Sequence, residues 1–349
     1  MDRKEKMNRR NLLIGLGAAA FAGIDVASGA QAAKERPDAN RPLTRLQVGG
    51  GLRVTNAALH LGVERGYFRQ EGLDLQMVDF GGQAEVLPGV ISGAQDVGLL
   101  GFGPGLWNAI SRGGKVKFVL ARDALLKGCS EQGTLFYRQE RFPKGIEKGD
   151  WKGMRVALTT EATTTQFYLQ QLLAARGMTE ADVEISRMRM EESVAAASAG
   201  RLDVFFGSGR PEWIAGGLPK NIRRSDLLLS VLGTFQYTFV VFGAKLLDGD
   251  PAIGTAFARA YLRAVRRFVA GDNPKFLDEL AARMHLDPKL VKSACRTGTS
   301  TSGEIRMQDL VRWIKWYQER KQMPGDIPAE KIAAQMVDLR FQKAAIGTL

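Results

Sequence analysis

The chain has 349 residues, with 49 Lys and Arg against 37 Asp and Glu, two His, two Cys and 45% apolar residues. That length suits two domains better than one, and 25% charged residues with 12 Pro and no low-complexity tract is a globular composition. Two Cys exclude a disulfide scaffold or a multi-Cys metal cluster. His60, His285, Cys129 and Cys295 never fall together at ligand spacing, so neither a metal nor a cofactor is expected.

Residues 1–33 read as an export signal. A polar, mostly basic segment ends in Asn8-Arg9-Arg10-Asn11-Leu12-Leu13, and a Gly/Ala-rich apolar stretch runs from Leu12 to Ile24. Ala30-Gln31-Ala32 then supplies small residues for cleavage near Ala32 or Ala33. The paired arginines point to the twin-arginine route and a periplasmic destination. The apolar run is too short to cross a bilayer of about 30 Å, and no Cys marks a lipid anchor. Removing the signal lowers the net charge from +12 to +10. The remaining positives are scattered and no basic run interleaves with aromatics, so nucleic acid is not an expected partner, whereas an anionic small molecule is compatible with the field. Cys129 and Cys295 read as small buried thiols, with a disulfide between them left open in an oxidising compartment.

After the linker Lys34 to Pro42, short apolar runs alternate with amphipathic ones. Leu46–Val48, Leu73–Phe80, Asp96–Leu100 and Val116–Ala121 read as strands. Ala57–Arg65, Val86–Ser92 and Leu106–Ser111 read as helices between them. The pattern restarts with strands at Leu135–Tyr137, Met154–Leu158, Val183–Ser186 and Val204–Phe206, and helices at Thr164–Arg176 and Glu191–Ala199. Such alternation predicts two α/β units with mostly parallel sheets. One more strand, Phe239–Phe242, precedes a tail that is helical from Pro251. There Phe257, Tyr261, Val265 and Phe268 recur at helical spacing, as do Leu310, Ile314 and Tyr317, and then Ile332, Met336 and Leu339. Trp313 and Trp316 read as core, and Pro274, Pro288 and Pro328 mark helix starts.

In open parallel sheets ligands bind beyond the carboxyl ends of strands. Five such loops are rich in glycine or hydroxyls: Gly49–Thr55, Gly81-Gly82-Gln83, Gly101–Gly105, Thr159–Thr164 and Gly207–Pro211. Glycine lets backbone approach a guest, and hydroxyls beside free N–H groups at a helix start hold an anion. The candidate ligand-binding residues are therefore Leu52, Arg53, Thr55, Gly81, Gly82, Gly101, Phe102, Gly103, Thr160, Glu161, Thr163, Thr164 and Arg210. Guanidiniums at Arg53 and Arg210, if they face the cleft rather than solvent, suit a carboxylate or sulfonate. Glu161 either pairs with Arg210 or meets an amine. Enzyme signatures fail: Gly207-Ser208-Gly209 lacks the G-x-S-x-G spacing, and no G-x-x-x-x-G-K-[ST] loop occurs. Nor does Gly101-Phe102-Gly103 reach the third glycine of a dinucleotide fingerprint.

Two segments, Gly66-Tyr67-Phe68-x-x-Glu71-Gly72-Leu73 and Val90-Ile91-Ser92-Gly93-x-x-Asp96-Val97-Gly98, resemble the amino-terminal lobe of periplasmic solute-binding proteins of ABC importers. The nitrate/sulfonate/taurine and thiamine-precursor type is the nearest group. Trp151–Ala157 resembles that family's entry to the second lobe, and Ala199–Val204 its Gly-x-x-Asp segment. Asn273-Pro274 and Leu286-Asp287-Pro288 resemble its carboxyl-terminal helices. The resemblance implies a two-lobe type II α/β fold. Its first lobe is built from residues 43–134 and 234–349, its second from 135–233, and the helical tail lies on lobe 1. It further implies a non-catalytic protein that traps a small solute between the lobes for a membrane ABC permease; with Arg53 and Arg210 in the loops, the expected solute is a small organic anion, and the expected state is a monomer. The alternatives are an enzyme of the same fold, like the thiamine-pyrimidine synthases, or a ligand-sensing partner of a membrane receptor.

Overall fold

A computed structural model describes residues 42–78, 83–126, 132–158, 164–208, 218–271, 274–293 and 299–348. Residues 1–33, where the sequence predicts an export signal, lie outside these residues, as do Cys129 and Cys295.

The first stretch builds β1 (Thr44–Gly49), α1 (Ala57–Glu64), α2 (Tyr67–Gln70), β2 (Leu73–Val78), α3 (Gln83–Ile91), β3 (Val97–Gly101), α4 (Pro104–Ser111) and β4 (Lys117–Ala121). After the two-residue β5 (Ala124–Leu125) come β6 (Gln132–Arg138), β7 (Arg155–Leu158), α5 (Thr164–Ala174), β8 (Glu184–Arg187), α6 (Met190–Ser198), β9 (Val204–Ser208), β10 (Ile222–Ser225) and α7 (Leu227–Leu232). The short β11 (Phe235–Gln236) leads directly into β12 (Thr238–Phe242). The tail carries α8 (Ala244–Asp248), α9 (Pro251–Val269), α10 (Pro274–Arg283), α11 (Pro288–Ser293), α12 (Met307–Glu319), α13 (Ala329–Met336) and α14 (Arg340–Ile346).

The strands form two five-stranded sheets of the same plan. The first runs β2-β1-β3-β12-β4, and the second, read from its other edge, β8-β7-β9-β6-β10. In each, a central strand pairs in parallel with two neighbours: β1 with β2 and β3, and β7 with β8 and β9. This trio is the frame that the strand–helix alternation predicts. An antiparallel strand from elsewhere in the chain then joins it, β12 beside β3 and β6 beside β9.

Both sheets are covered on both faces, so alternate residues of one strand enter different cores. Leu135 and Phe206 join the cluster under α5 and α7, while their neighbours Phe136 and Phe205 join the cluster under α6. Burial on two faces explains why these strands read as continuous apolar runs. In the tail, Phe257, Tyr261, Val265 and Phe268 are buried along α9 as their spacing predicts, and α9 packs on α1, α2 and α14.

The chain passes between the sheets through β5 and β11. These pair antiparallel, Phe235 opposite Leu125 and Gln236 opposite Ala124. Over this junction lies α12. The Trp313 ring is 5.7 Å from Phe102, 5.3 Å from Phe235 and 4.2 Å from Phe167. Trp313 is fully buried and Trp316 nearly so, so both indoles serve as core. Edge and offset aromatic pairs at such spacings add about 0.5–1.5 kcal/mol each beyond the area they bury.

Candidate functional site

The loop after β1 is fixed from two sides. Asn56 Nδ2 donates to the Gly51 carbonyl at 2.8 Å, and His60 Nε2 lies 3.3 Å from the same oxygen. Both side chains are buried, which makes His60 the core histidine of the two. His285, expected within a helix, instead follows α10 with a φ of 55°. Gly49 has a packing role: a Cβ there would fall 1.8 Å from Oε1 of Gln95, whose amide is wedged against Gly49 and Gly89. Of the candidates in this loop, Leu52 and Thr55 are half-buried and Arg53 is exposed. Arg53 is the extended residue that starts the short 3₁₀ turn Val54–Asn56.

The loop after β3 divides its residues between two tasks. Gly101 and Gly103 are half-buried, and a Cβ at Gly103 would meet nothing within 4 Å. Gly103 is extended and leads into α4 with Pro104 at the first helical position, where the missing N–H costs nothing. Phe102 points the other way. It is 5% exposed and stacks on Trp313 with an interplanar angle of 14°. As a candidate for touching a guest, Phe102 is spent as core.

On the second sheet, Thr164 opens α5 and is half-buried. Gly81, Gly82, Thr160, Glu161, Thr163 and Arg210 lie outside the described residues. Gly207, at the end of β9, is another packing glycine, since a Cβ there would fall 2.2 Å from the Phe136 ring. The Gly101–Gly103 loop and the first turn of α5 are tied together through one indole, because Phe102 and Phe167 both contact Trp313.

Sequence reasoning missed a charged pair in the loop after β4. Arg122 and Asp123 are both buried, with Nε 3.2 Å from Oδ2. The Arg122 guanidinium also donates to the Thr55 carbonyl in the β1 loop. Asp123 accepts from the hydroxyls of Thr238 at 2.8 Å and Thr299 at 3.3 Å. The pair thus joins the loop after β1, the first crossover and the tail. The second crossover is held as closely. Gln236 donates its backbone N–H to Asp309, accepts from Trp313 Nε1 at 3.1 Å, and with its amide grips the Glu304 carbonyl and the Arg306 N–H. An internal hydrogen bond contributes about 0.5–1.5 kcal/mol net, so residues 299–313 form a strap over both crossovers. The signal was position: Arg122 follows an apolar strand as the glycine loops do, but without glycine or hydroxyl it did not stand out.

The motifs behind the family resemblance build the frame. Gly66 and Gly72 adopt φ of 67° and 78° around α2. Trp151 is buried, donates Nε1–H to the Ile146 carbonyl at 2.8 Å and carries the Arg176 guanidinium over its ring. Asp96 accepts the Gln47 N–H at 2.8 Å and pairs with Lys245 at 3.0 Å. Asp203 accepts the Arg155 N–H at 2.9 Å and both the Arg155 and Arg138 guanidiniums. Burial raises the Asp203 carboxyl, but these hydrogen bonds and the Arg155 charge together outweigh it and hold the group at about 2. Among the described residues no three His, Cys, Asp or Glu side chains gather as metal ligands would. Among them, too, no helix is long and apolar enough to cross a membrane.

Two mixed sheets of one plan, joined by paired crossovers, are the fold of periplasmic binding proteins. A family model described as NMT1/THI5 like matches residues 55–274, and the chain belongs to that family. No curated protein matches in sequence. Among solved structures, the periplasmic aliphatic sulphonate binding protein SsuA from Escherichia coli is similar with a TM-score of 0.67 at 16% identity, covering 84% of this chain and 92% of that one. A putative sulfonate-binding SsuA from Methylobacillus flagellatus KT gives 0.66 at 18%, covering 88% and 95%. The periplasmic nitrate-binding protein NrtA from Synechocystis PCC 6803 gives 0.62 at 12%, covering 88% and 89%.

Proposed function

We propose that this chain is an exported solute-binding protein: it captures a small organic anion in a cleft between two lobes and delivers it to an ABC permease. The observation that carries the reading is the paired-crossover architecture, with two sheets of equal plan whose carboxyl-end loops are tied through Trp313. The family match and the titles of the similar structures support it. Lobe 1 comprises residues 43–134 and 234–349, lobe 2 residues 135–233, and residues 1–33 are the export signal. The guest meets Leu52, Arg53, Thr55, Gly101 and Gly103 on one side. On the other it meets Thr160, Glu161, Thr163, Thr164 and Arg210, with Gly81 and Gly82 completing the first rim. Helix-start N–H groups and guanidiniums supply the donors, and contact with both lobes favours the closed form. The protein acts as a monomer without a cofactor and makes or breaks no bond.

A thermal-shift panel of methanesulfonate, taurine, hexanesulfonate, benzoate, nitrate and a hydroxymethylpyrimidine tests this reading. At a hundredfold excess over its Kd a true ligand stabilises the fold by about 2.7 kcal/mol, so at least one organic anion raises the melting temperature. A panel with no shift, or chemical conversion of the pyrimidine, overturns it. Arg210→Ala weakens binding of the responding anion in calorimetry, and unchanged affinity removes Arg210 from the site.

A further inference from the structure

The layers of the two sheets also meet away from the crossovers, along a seam between α5 and α12. α5 belongs to the second sheet and packs on β6 and α7. α12 packs on α13, which in turn packs on α4 and β4 of the first sheet. Along α5, Gln166, Phe167, Gln170 and Gln171 share one side at helical spacing. Along α12, Arg312, Trp313 and Trp316 do the same, with Arg320 just past the helix end. Between these stripes the Phe167 ring is 4.2 Å from Trp313 and 5.4 Å from Trp316, at 82° to the latter. All three rings are buried.

Hydrogen bonds run beside those rings. Trp316 Nε1 donates to Gln170 Oε1 at 2.7 Å, and the Arg312 guanidinium donates to Gln171 Oε1 at 2.7 Å. Gln170 is also fixed on its own side. Its Nε2 donates at 2.8 Å to Glu180, in the 3₁₀ turn Glu180–Asp182 that follows α5, and Gln166 Nε2 donates to the same oxygen at 2.8 Å. Arg320 covers the Trp316 ring from 4.2 Å. A rotation of one sheet against the other about β5 and β11 has to slide α5 along α12, and these partners fit one register only. Packed faces of this kind hold discrete positions rather than yielding by degrees. We infer that the seam is an angular lock: it holds the two lobes at one angle, so that a guest meets a preset cleft. This rests on the two-lobe reading and concerns how that cleft is kept in shape. Apparent affinity falls with the fraction of molecules at the competent angle, so about a tenfold loss of that fraction raises the Kd about tenfold. Gln170, Gln171 and Arg312 are half-buried, which lets substitution release the lock without emptying the core.

Distances between two spin labels, one on each lobe of the full chain, are the test. Lys152→Cys and Lys275→Cys place the labels at exposed positions of lobe 2 and lobe 1, with Cys129→Ser and Cys295→Ser in every sample so that no other thiol reacts. With the seam intact, pulsed double electron–electron resonance gives one narrow distance. Gln170→Ala with Gln171→Ala removes both bonds to α12 and keeps a strong helix former at each site. It adds a second distance or broadens the first. Gln171→Glu beside Gln170→Ala restores a charge-assisted acceptor for Arg312 and narrows the distribution again, which a weakened helix alone does not predict. Arg312→Ala cuts the seam from the α12 side and broadens the distance too, an independent reading should the glutamine pair fold poorly. A broad distribution in the parent, one that no seam variant changes, or broadening that Gln171→Glu leaves in full overturns the lock. The labels are read without a guest, so that result leaves the capture reading standing, as a thermal-shift panel without response leaves the lock standing.

Discussion

The two sheets solve the same problem with different amounts of charge. In each, a helix ends at a glycine in the left-handed region, Gly93 at φ 78° and Gly200 at φ 72°. Three residues on, a buried aspartate accepts the backbone N–H of the neighbouring parallel strand, Asp96 from Gln47 and Asp203 from Arg155. Asp96 is balanced by Lys245, whose side chain is 52% exposed, so its partner returns to water at little cost. Asp203 is held by two arginines that are 18% and 34% exposed and is almost wholly enclosed. One topology thus carries a lightly balanced aspartate in the first sheet and a tightly enclosed triad in the second. The cost of disturbing either follows from what is left unpaired, not from the motif itself.

That contrast can be broken most severely at Asp203. Asp203→Ala strands two partly buried guanidiniums and a strand N–H, and urea unfolding loses about 3–5 kcal/mol. Acid reaches the same group reversibly. Its carboxyl is depressed in the folded state, so its contribution is complete above the unfolded value near 4 and is lost as pH falls through about 2. Between those limits stability drops by on the order of 2 kcal/mol, and Asp203→Asn, lacking the ionisation, flattens that part of the pH profile. Asp96→Ala costs about 1–2 kcal/mol, chiefly the orphaned Gln47 N–H. Gly93→Ala and Gly200→Ala, which test the shared element, each cost about 1 kcal/mol because alanine resists a positive φ. Lys245→Ala, at the exposed end of the series, changes stability by no more than about 1 kcal/mol. Equal losses at Asp96 and Asp203 would dissolve the contrast.

How far the sequence could be read follows the same physics. Strands buried on both faces, such as Val97–Gly101 and Val204–Ser208, announce themselves as apolar runs, and α9 by its 3.6-residue period. The edge strand β10 did not, because Ile222-Arg223-Arg224-Ser225 puts two exposed arginines at its centre. Leu227–Leu232, an apolar run without helical spacing, hid α7. The crossovers β5 and β11 have two residues each, too few to show any period. At the site, glycine richness mixed two causes: Gly103 faces open space, whereas Gly49 and Gly207 are glycine because Gln95 and Phe136 occupy the room. Only tertiary contact separates them. The same holds for Phe102, which a loop position suggested for the guest and Trp313 claims for the core, and for Arg122, whose importance lies in reaching Thr55.

The strap of residues 299–313 ties the two sheets' connections together: both crossovers are bonded to it, and Trp313 sits where the loop after β3 and the start of α5 meet.

The most direct measurement is a crystal structure of the full chain with the anion that gives the largest shift in the panel. Electron density for one intact anion touching both the Gly101–Gly103 loop and the start of α5 is the expected result. An anion lodged against one sheet alone, or found chemically altered, would contradict it.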